Sequence, residues 1–239
     1  MSEGIDNFVR WSDRWLDEDS VVEGISSARV VLLVAPENPY SFGPPDQFQE
    51  QAEYIKILTS SYPANRIGVS TREIFSPDDL EGCLDQIRRL NERSENKNGY
   101  PVVDMIHFVG HGDSDGIVFP NAEFLDLTKK RNREMFANLG LEWLLFSCCQ
   151  FGKKKRGLID KLADEGAANV VLAYRREVLH HEAFLIDSMI YHMAYGQEVR
   201  RRISYKESCS RLMDVVRDGL VYHQGPGGGL NPLVWSTGS

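Results

Sequence analysis

No two cysteines in this sequence are spaced as a metal-binding or redox pair. Cys83, Cys148, Cys149 and Cys209 are the four among 239 residues, and none falls in a Cys-x-x-Cys arrangement. A disulfide framework, a zinc knuckle and a redox dithiol are therefore excluded as organising features. Long apolar runs are missing too. The longest, such as Val30 to Ala35, are far too short to span a bilayer, so no membrane partner is expected. Met1 to Asp19 carries Glu3, Asp6, Asp13, Asp17 and Glu18 and has no basic head leading into an apolar run, unlike a secretory leader. With unpaired cysteines, this gives the expectation of a cytoplasmic protein. Positive charge is also scarce. Twenty-seven Lys and Arg face 35 Asp and Glu, for a net charge of −8. No broad basic field exists to neutralise phosphates, and direct nucleic-acid contact is not expected. Neither Gly-x-Gly-x-x-Gly nor Gly-x-x-x-x-Gly-Lys-[Ser/Thr] follows an apolar run, which sets aside a nucleotide-binding α/β protein.

What remains has the composition of a folded domain: 42% hydrophobic and 26% charged residues argue against disorder and fibrous structure. Continuous apolar runs rich in β-branched residues mark strands buried on both faces: Arg29 to Ala35, Val102 to Val109, Leu141 to Ser147 and Asn169 to Tyr174. A shorter strand is expected over Arg66 to Val69, and a small hairpin arm over Ile117 to Phe119. Apolar residues at helical spacing fall between them. Phe48, Ala52, Ile55 and Leu58 mark one helix. Leu80, Cys83, Leu84, Ile87 and Leu90 mark another, started near Ser76-Pro77-Asp78. Thr128 to Asn138, a segment through Leu158, Ile159 and Leu162, a segment through Phe184, Ser188, Met189, His192 and Met193, and Lys206 to Arg217 read as further helices. Asn91 to Gly99 is polar and reads as a loop. Strand and helix alternate along nearly the whole length, so the expected class is α/β, with a mostly parallel sheet and helices on both faces. Phe8, Val9, Trp11 and Trp15 give residues 5 to 17 the pattern of an amphipathic helix, which packs on the domain body or docks a partner. The division expected is an N-terminal helical extension, 1–27, and a single domain, 28–239.

In such sheets sites form beyond the carboxyl ends of strands. Two ends stand out. One is Gly110-His111-Gly112; the other is Ser147-Cys148-Cys149-Gln150. If the strands are neighbours, a histidine and a cysteine project from one sheet edge. A thiolate is the nucleophile, and an imidazole within reach can take the thiol proton and later protonate a leaving amine. Glycine beside His111 lets backbone approach a carbonyl, and N–H groups there could form an oxyanion hole. Asp113 and Asp115 read as turn residues, so no metal or cofactor is expected. Gly152 to Gly157 encloses four consecutive cations, either a solvated turn or a loop that orders on a partner or is nicked. Gln224 to Gly229 reads as a rim loop over the cleft.

Ile106 to Gly112 (IHFVGHG) resembles the histidine motif of the CHAT proteins, a branch of the caspase-like, separase-related cysteine peptidases. Leu144 to Gly152 (LLFSCCQFG) resembles their cysteine motif. Gly166 to Tyr174, Ala183 to Val199, Asn231 to Trp235 and the first strand are similar to further family elements, so the resemblance covers about residues 28–236. It implies a caspase-like three-layer sandwich and a cysteine endopeptidase. His111 would be the general base, Cys149 the nucleophile, and Gly112 and Cys149 the oxyanion-hole donors. It implies that His107 is a buried, hydrogen-bonded strand residue. Cys148 stands where the family carries a small residue, on the opposite face from Cys149, and is expected to fill the core. Loops Pro36 to Pro45 and Arg175 to Glu182 would line the substrate pocket. Arg175, Arg176 and Glu177 are the candidates there, suited to an acidic or a basic partner. The resemblance further implies a protein substrate, a single companion protein, and an activating sensor in a bacterial defence or cell-death system. The competing expectation is a catalytically silent scaffold of the same fold.

Overall fold

A computed structural model of the chain describes residues 29–37, 46–60, 68–98, 103–153, 157–195, 207, 209–212, 214 and 233–236. The first strand, β1 (Arg29–Val34), leads to helix α1 (Gln47–Ser60), β2 (Gly68–Glu73) and α2 (Pro77–Asn98). Next come β3 (Met105–Val109) and three short strands, β4 (His111–Gly112), β5 (Gly116–Val118) and β6 (Phe124–Asp126). A helical turn α3 (Lys130–Arg133) runs into a 3₁₀ turn, Glu134–Phe136. Strand β7 (Leu141–Ser147), α4 (Leu158–Asp164), β8 (Ala168–Tyr174), α5 (His180–Tyr195) and β9 (Leu233–Ser236) complete the order.

The main sheet has the order β2-β1-β3-β7-β8-β9. All its pairings are parallel except β8 with β9. Alternation along the strands splits the core in two. Val31, Leu33, Ile106, Phe108, Leu144, Phe146 and Cys148 pack under α2 and α4. Val30, Leu32, Met105, Val109, Leu145, Leu172 and Tyr174 pack under α1 and α5, joined by Cys209 and Leu212. Both sheet faces are covered, and this is why the strands read as unbroken apolar runs rather than as alternating ones. The result is the three-layer α/β arrangement expected, with a second, antiparallel sheet β4-β5-β6 hung from the end of β3. Chain order reverses direction between β1 and β3, so the crevice beyond those two strands is the topological switch point.

Several boundaries differ from the sequence expectation. The second strand runs over Gly68–Glu73 rather than Arg66 to Val69. Helix α2 continues to Asn98 through the stretch that reads as a loop. Asn91 explains part of this. It is buried, and its amide donates to the carbonyls of Val103 (3.0 Å) and Leu139 (2.8 Å) while its Oδ1 accepts from the Val103 N–H (2.9 Å). A polar residue that stitches a helix to the loop before β3 and the loop before β7 looks solvated in sequence. Asn91→Ala should cost about 2–4 kcal/mol in urea unfolding, because buried backbone groups are left without partners. Thr128 to Asn138 is shortened to α3 and the 3₁₀ turn, which stops where Ala137 becomes extended, just before Asn138 takes a positive φ of 55°. The lone hairpin arm is the middle strand of the small sheet. Residues 209–212 are helical, as expected within Lys206 to Arg217. The 1–27 extension, most of Pro36 to Pro45, Lys154 to Arg156 and Gln224 to Gly229 lie outside the described residues. Among the described residues, no helix is long and apolar enough to cross a membrane.

Candidate active site

The register between β3 and β7 aligns Val109 with Ser147. His111 and Cys149 therefore each stand two residues past the same rung of adjacent parallel strands. The His111 ring meets the Phe48 ring of α1 edge-on at 4.8 Å, on the side of the sheet covered by α1 and α5. Both site residues are reachable: the His111 side chain is 50% exposed, and Cys149 is part-buried.

Cys148 goes the other way. It is fully buried among the residues under α2 and α4, and burial holds its thiol well above the ordinary range. Burial likewise pushes Cys83 up to about 11 and Cys209 up to about 12. Cys149 is the one cysteine of the four outside the buried core. A thiol without water around it resists ionisation, so the three buried sulfurs are poor nucleophiles.

Gly112 is a steric necessity. A Cβ there would lie 2.8 Å from the Cys148 Cβ and 2.9 Å from the Gly116 carbonyl oxygen. The histidine strand thus passes directly against the cysteine turn, and only a glycine permits the approach. The turn itself reverses sharply, with Gln150 at a φ of 60°. It is pinned to the end of β8, where Gln150 N–H donates to the Arg176 carbonyl (3.3 Å) and Gly152 N–H to the Tyr174 carbonyl (2.8 Å).

Glu37 was not singled out by sequence reasoning. It follows β1 by three residues, and its Oε1 lies 3.0 Å from His111 Nε2. The helix cap of α1 holds it there. Asp46 Oδ1 accepts from the N–H groups of Phe48 and Gln49 (3.0 Å each), Gln49 Oε1 accepts from Asp46 N–H (3.1 Å), and Asp46 Oδ2 accepts from the Glu37 N–H. This is a capping box with one extra acceptor turned back to the strand end. The signal available in sequence was an acidic residue just past a strand at the reacting edge of the sheet.

The three pocket candidates stand at the end of β8. Arg176 is bonded to both oxygens of the buried Glu182 (3.1 and 3.0 Å) and to the Glu177 carbonyl (2.7 Å), so its charge is matched within the chain. Glu177 accepts from Gln150 Nε2 (2.9 Å), and Gln150 Oε1 in turn accepts from Lys153 Nζ (2.9 Å). Arg175 is part-buried beside them. Asp113 Oδ1 accepts from the N–H groups of Asp115 (2.7 Å) and Gly116 (3.0 Å), which accounts for it as a turn residue.

Below this edge lies a polar cluster that is buried throughout. His107 Nε2 is 2.7 Å from Ser147 Oγ and its Nδ1 is 3.1 Å from the Tyr191 hydroxyl. His107 is buried and hydrogen-bonded, as the family resemblance implied, and burial lowers it to about 3, so the ring is neutral. Its companions are Asp187, Tyr174 and Gln51.

No protein-family model and no curated protein matches the chain. Among solved structures, the chain is similar to the Arg-specific cysteine proteinase gingipain R, with a TM-score of 0.49 and 12% identity over 91% of this chain. The chain spans 47% of the length of that protein.

Proposed function

We propose that the chain is a caspase-like cysteine endopeptidase of the CHAT type that cuts a protein substrate with Cys149 and His111. The observation that supports this reading is the shared rung, Val109 opposite Ser147: an accessible histidine and the one cysteine outside the buried core each follow it by two residues, at the ends of neighbouring parallel strands. Glu37 occupies His111 Nε2, which leaves Nδ1 to accept the thiol proton. The Cys149 sulfur then adds to the peptide carbonyl carbon. The oxyanion is received by N–H groups of Gly112 and Cys149. On collapse the C–N bond breaks and His111 returns its proton to the leaving amine. A water, deprotonated by His111, cleaves the thioester and restores the thiol. Glu37 orients the ring and stabilises the imidazolium.

The resemblance of IHFVGHG and LLFSCCQFG to the CHAT motifs supports one companion protein as substrate, a sensor as activator, and a bacterial defence or cell-death setting. Loop Arg175 to Glu182 abuts the nucleophile turn through Glu177 and Gln150, which suits a role in lining the substrate pocket. A thiol-reactive peptidyl probe tests the assignment. Wild type and Cys148→Ala should be labelled, and Cys149→Ala should not. Labelling that vanishes only in Cys148→Ala would reassign the nucleophile. A folded wild type that neither labels nor cleaves even with its activating partner present would favour the silent scaffold.

A further inference from the structure

The buried cluster holds the three residue types of a serine hydrolase, yet its geometry is not that of a triad. Asp187 approaches the Nε2 of His107 at 3.8 Å, the same nitrogen that faces Ser147, rather than the opposite nitrogen. His107 and Asp187 are 0% exposed, and Ser147 is 5% exposed. No substrate reaches that serine. Another role is indicated by where the hydrogen bonds converge.

Their directions are fixed by one donor. Ser147 O–H donates to Asp187 Oδ1 at 3.3 Å. Ser147 Oγ must then accept from His107 Nε2–H, and His107 Nδ1 must accept from the Tyr191 hydroxyl. Tyr174 O–H also donates to Asp187 Oδ1, at 2.9 Å, and Gln51 Nε2 donates to Oδ2 at 2.5 Å. Every arrow runs toward the carboxylate. Ser147 is the last residue of β7, and Tyr174 is the last of β8. The Cys149 turn is strung between them, leaving Ser147 and returning to the Tyr174 carbonyl through Gly152 N–H.

We propose that Asp187 is a positioning residue for the nucleophile: one buried carboxylate oxygen ties the ends of β7 and β8 together, and the Cys149 turn hangs between those ends. The role in catalysis rests on the peptidase reading; the placement of the turn does not. The groups facing the carboxylate are Gln51 from α1, His107 from β3, Ser147 from β7, Tyr174 from β8 and, through His107, Tyr191 on its own helix. No lysine or arginine pairs with it among the described residues. Burial raises Asp187 to about 7, against the pull of its three donors. A neutral carboxyl accepts these bonds more weakly than a carboxylate does, so the tie between the strand ends loosens as pH falls through that point.

The test uses the full chain as wild type, Asp187→Asn and Tyr174→Phe. Amide hydrogen exchange of residues 148–153, corrected for intrinsic exchange, is followed from pH 5 to 9. Site-resolved alkylation of Cys149 by iodoacetamide is followed alongside. In wild type, protection of the turn should rise as pH passes 7. Both variants should exchange about tenfold faster at pH 8 and lose that pH step. Wild-type exchange and an intact step in the folded variants would overturn the proposal. Tyr174→Phe, which removes a single hydroxyl, decides the matter if Asp187→Asn does not fold. Should wild-type Cys149 react no faster than a free thiol while exchange behaves as expected, the positioning stands and the peptidase reading falls. Should Cys149 be activated while exchange ignores both variants, the reverse holds.

Discussion

If His111 is the general base proposed, His111→Ala should slow cleavage of a protein substrate by about 100- to 10,000-fold, with the loss in kcat rather than KM, because a general base acts on the proton moving in the transition state. Glu37→Gln should cost far less, about tenfold. Its hydrogen bond to Nε2 is charge-assisted, but both side chains are about half exposed, at 49% and 50%, and water screens the interaction. The informative protein is the double variant. Glu37 has no route to the reaction except through the imidazole it orients. Glu37→Gln should therefore cost nothing further once His111 is alanine. A full tenfold loss in that background would mean that Glu37 touches substrate directly.

The second large effect is on stability against pH, and its sign differs between two variants of one buried pair. His107 falls from 6.5 to about 3, and Asp187 rises from 3.8 to about 7. Between pH 4 and 6.5 the unfolded chain protonates His107 but not Asp187, while the native chain protonates Asp187 but not His107. The proton counts match, and the pair contributes no slope in that window. Asp187→Asn leaves His107 alone. The unfolded state then binds one proton more, and stability rises with pH up to 6.5 by about 1.4 kcal/mol per unit. His107→Gln leaves Asp187 alone. The native state then binds one proton more, and stability falls as pH rises from 4 to 7 by a similar slope. Urea unfolding at several values from pH 4.5 to 6.5 reads both slopes against wild type. Parallel curves for all three proteins would show that the cluster is not buried in the way described.

The strands were legible because burial on both faces removes alternation, and a run such as LEWLLFS then has one interpretation; its bounds, Leu141–Ser147, match the expectation. The histidine and cysteine ends were legible for the same reason, since they follow such runs. Helix faces were harder. On α5 the expected markers were Phe184, Ser188, Met189, His192 and Met193; Met193 is buried and Met189 packs against the same layer, but the rest of the buried stripe is Ala183, Ile186, Asp187, Ile190, Tyr191 and Ala194. Phe184 and Ser188 instead meet Tyr54 of α1. In a helix flanked by both a sheet and another helix, apolar residues occupy more than one stripe, and period alone does not choose between them. Asp187 was hidden by that choice. Its partners come from four elements far apart in sequence, a convergence no local pattern encodes. Glu37 was hidden because its place is set by the cap of a helix nine residues later.

The opposite burial of the two adjacent cysteines also governs how the protein would age in air. A reactive, exposed thiol oxidises first to a sulfenic acid, which a second thiol nearby can capture as a disulfide. Cys149 has no such rescuer in its own chain. Cys148 points to the other side of the sheet, and Cys83 and Cys209 lie inside the two separate helix layers. Peroxide damage at Cys149 would pass on to the irreversible sulfinic acid unless a thiol from outside intervened.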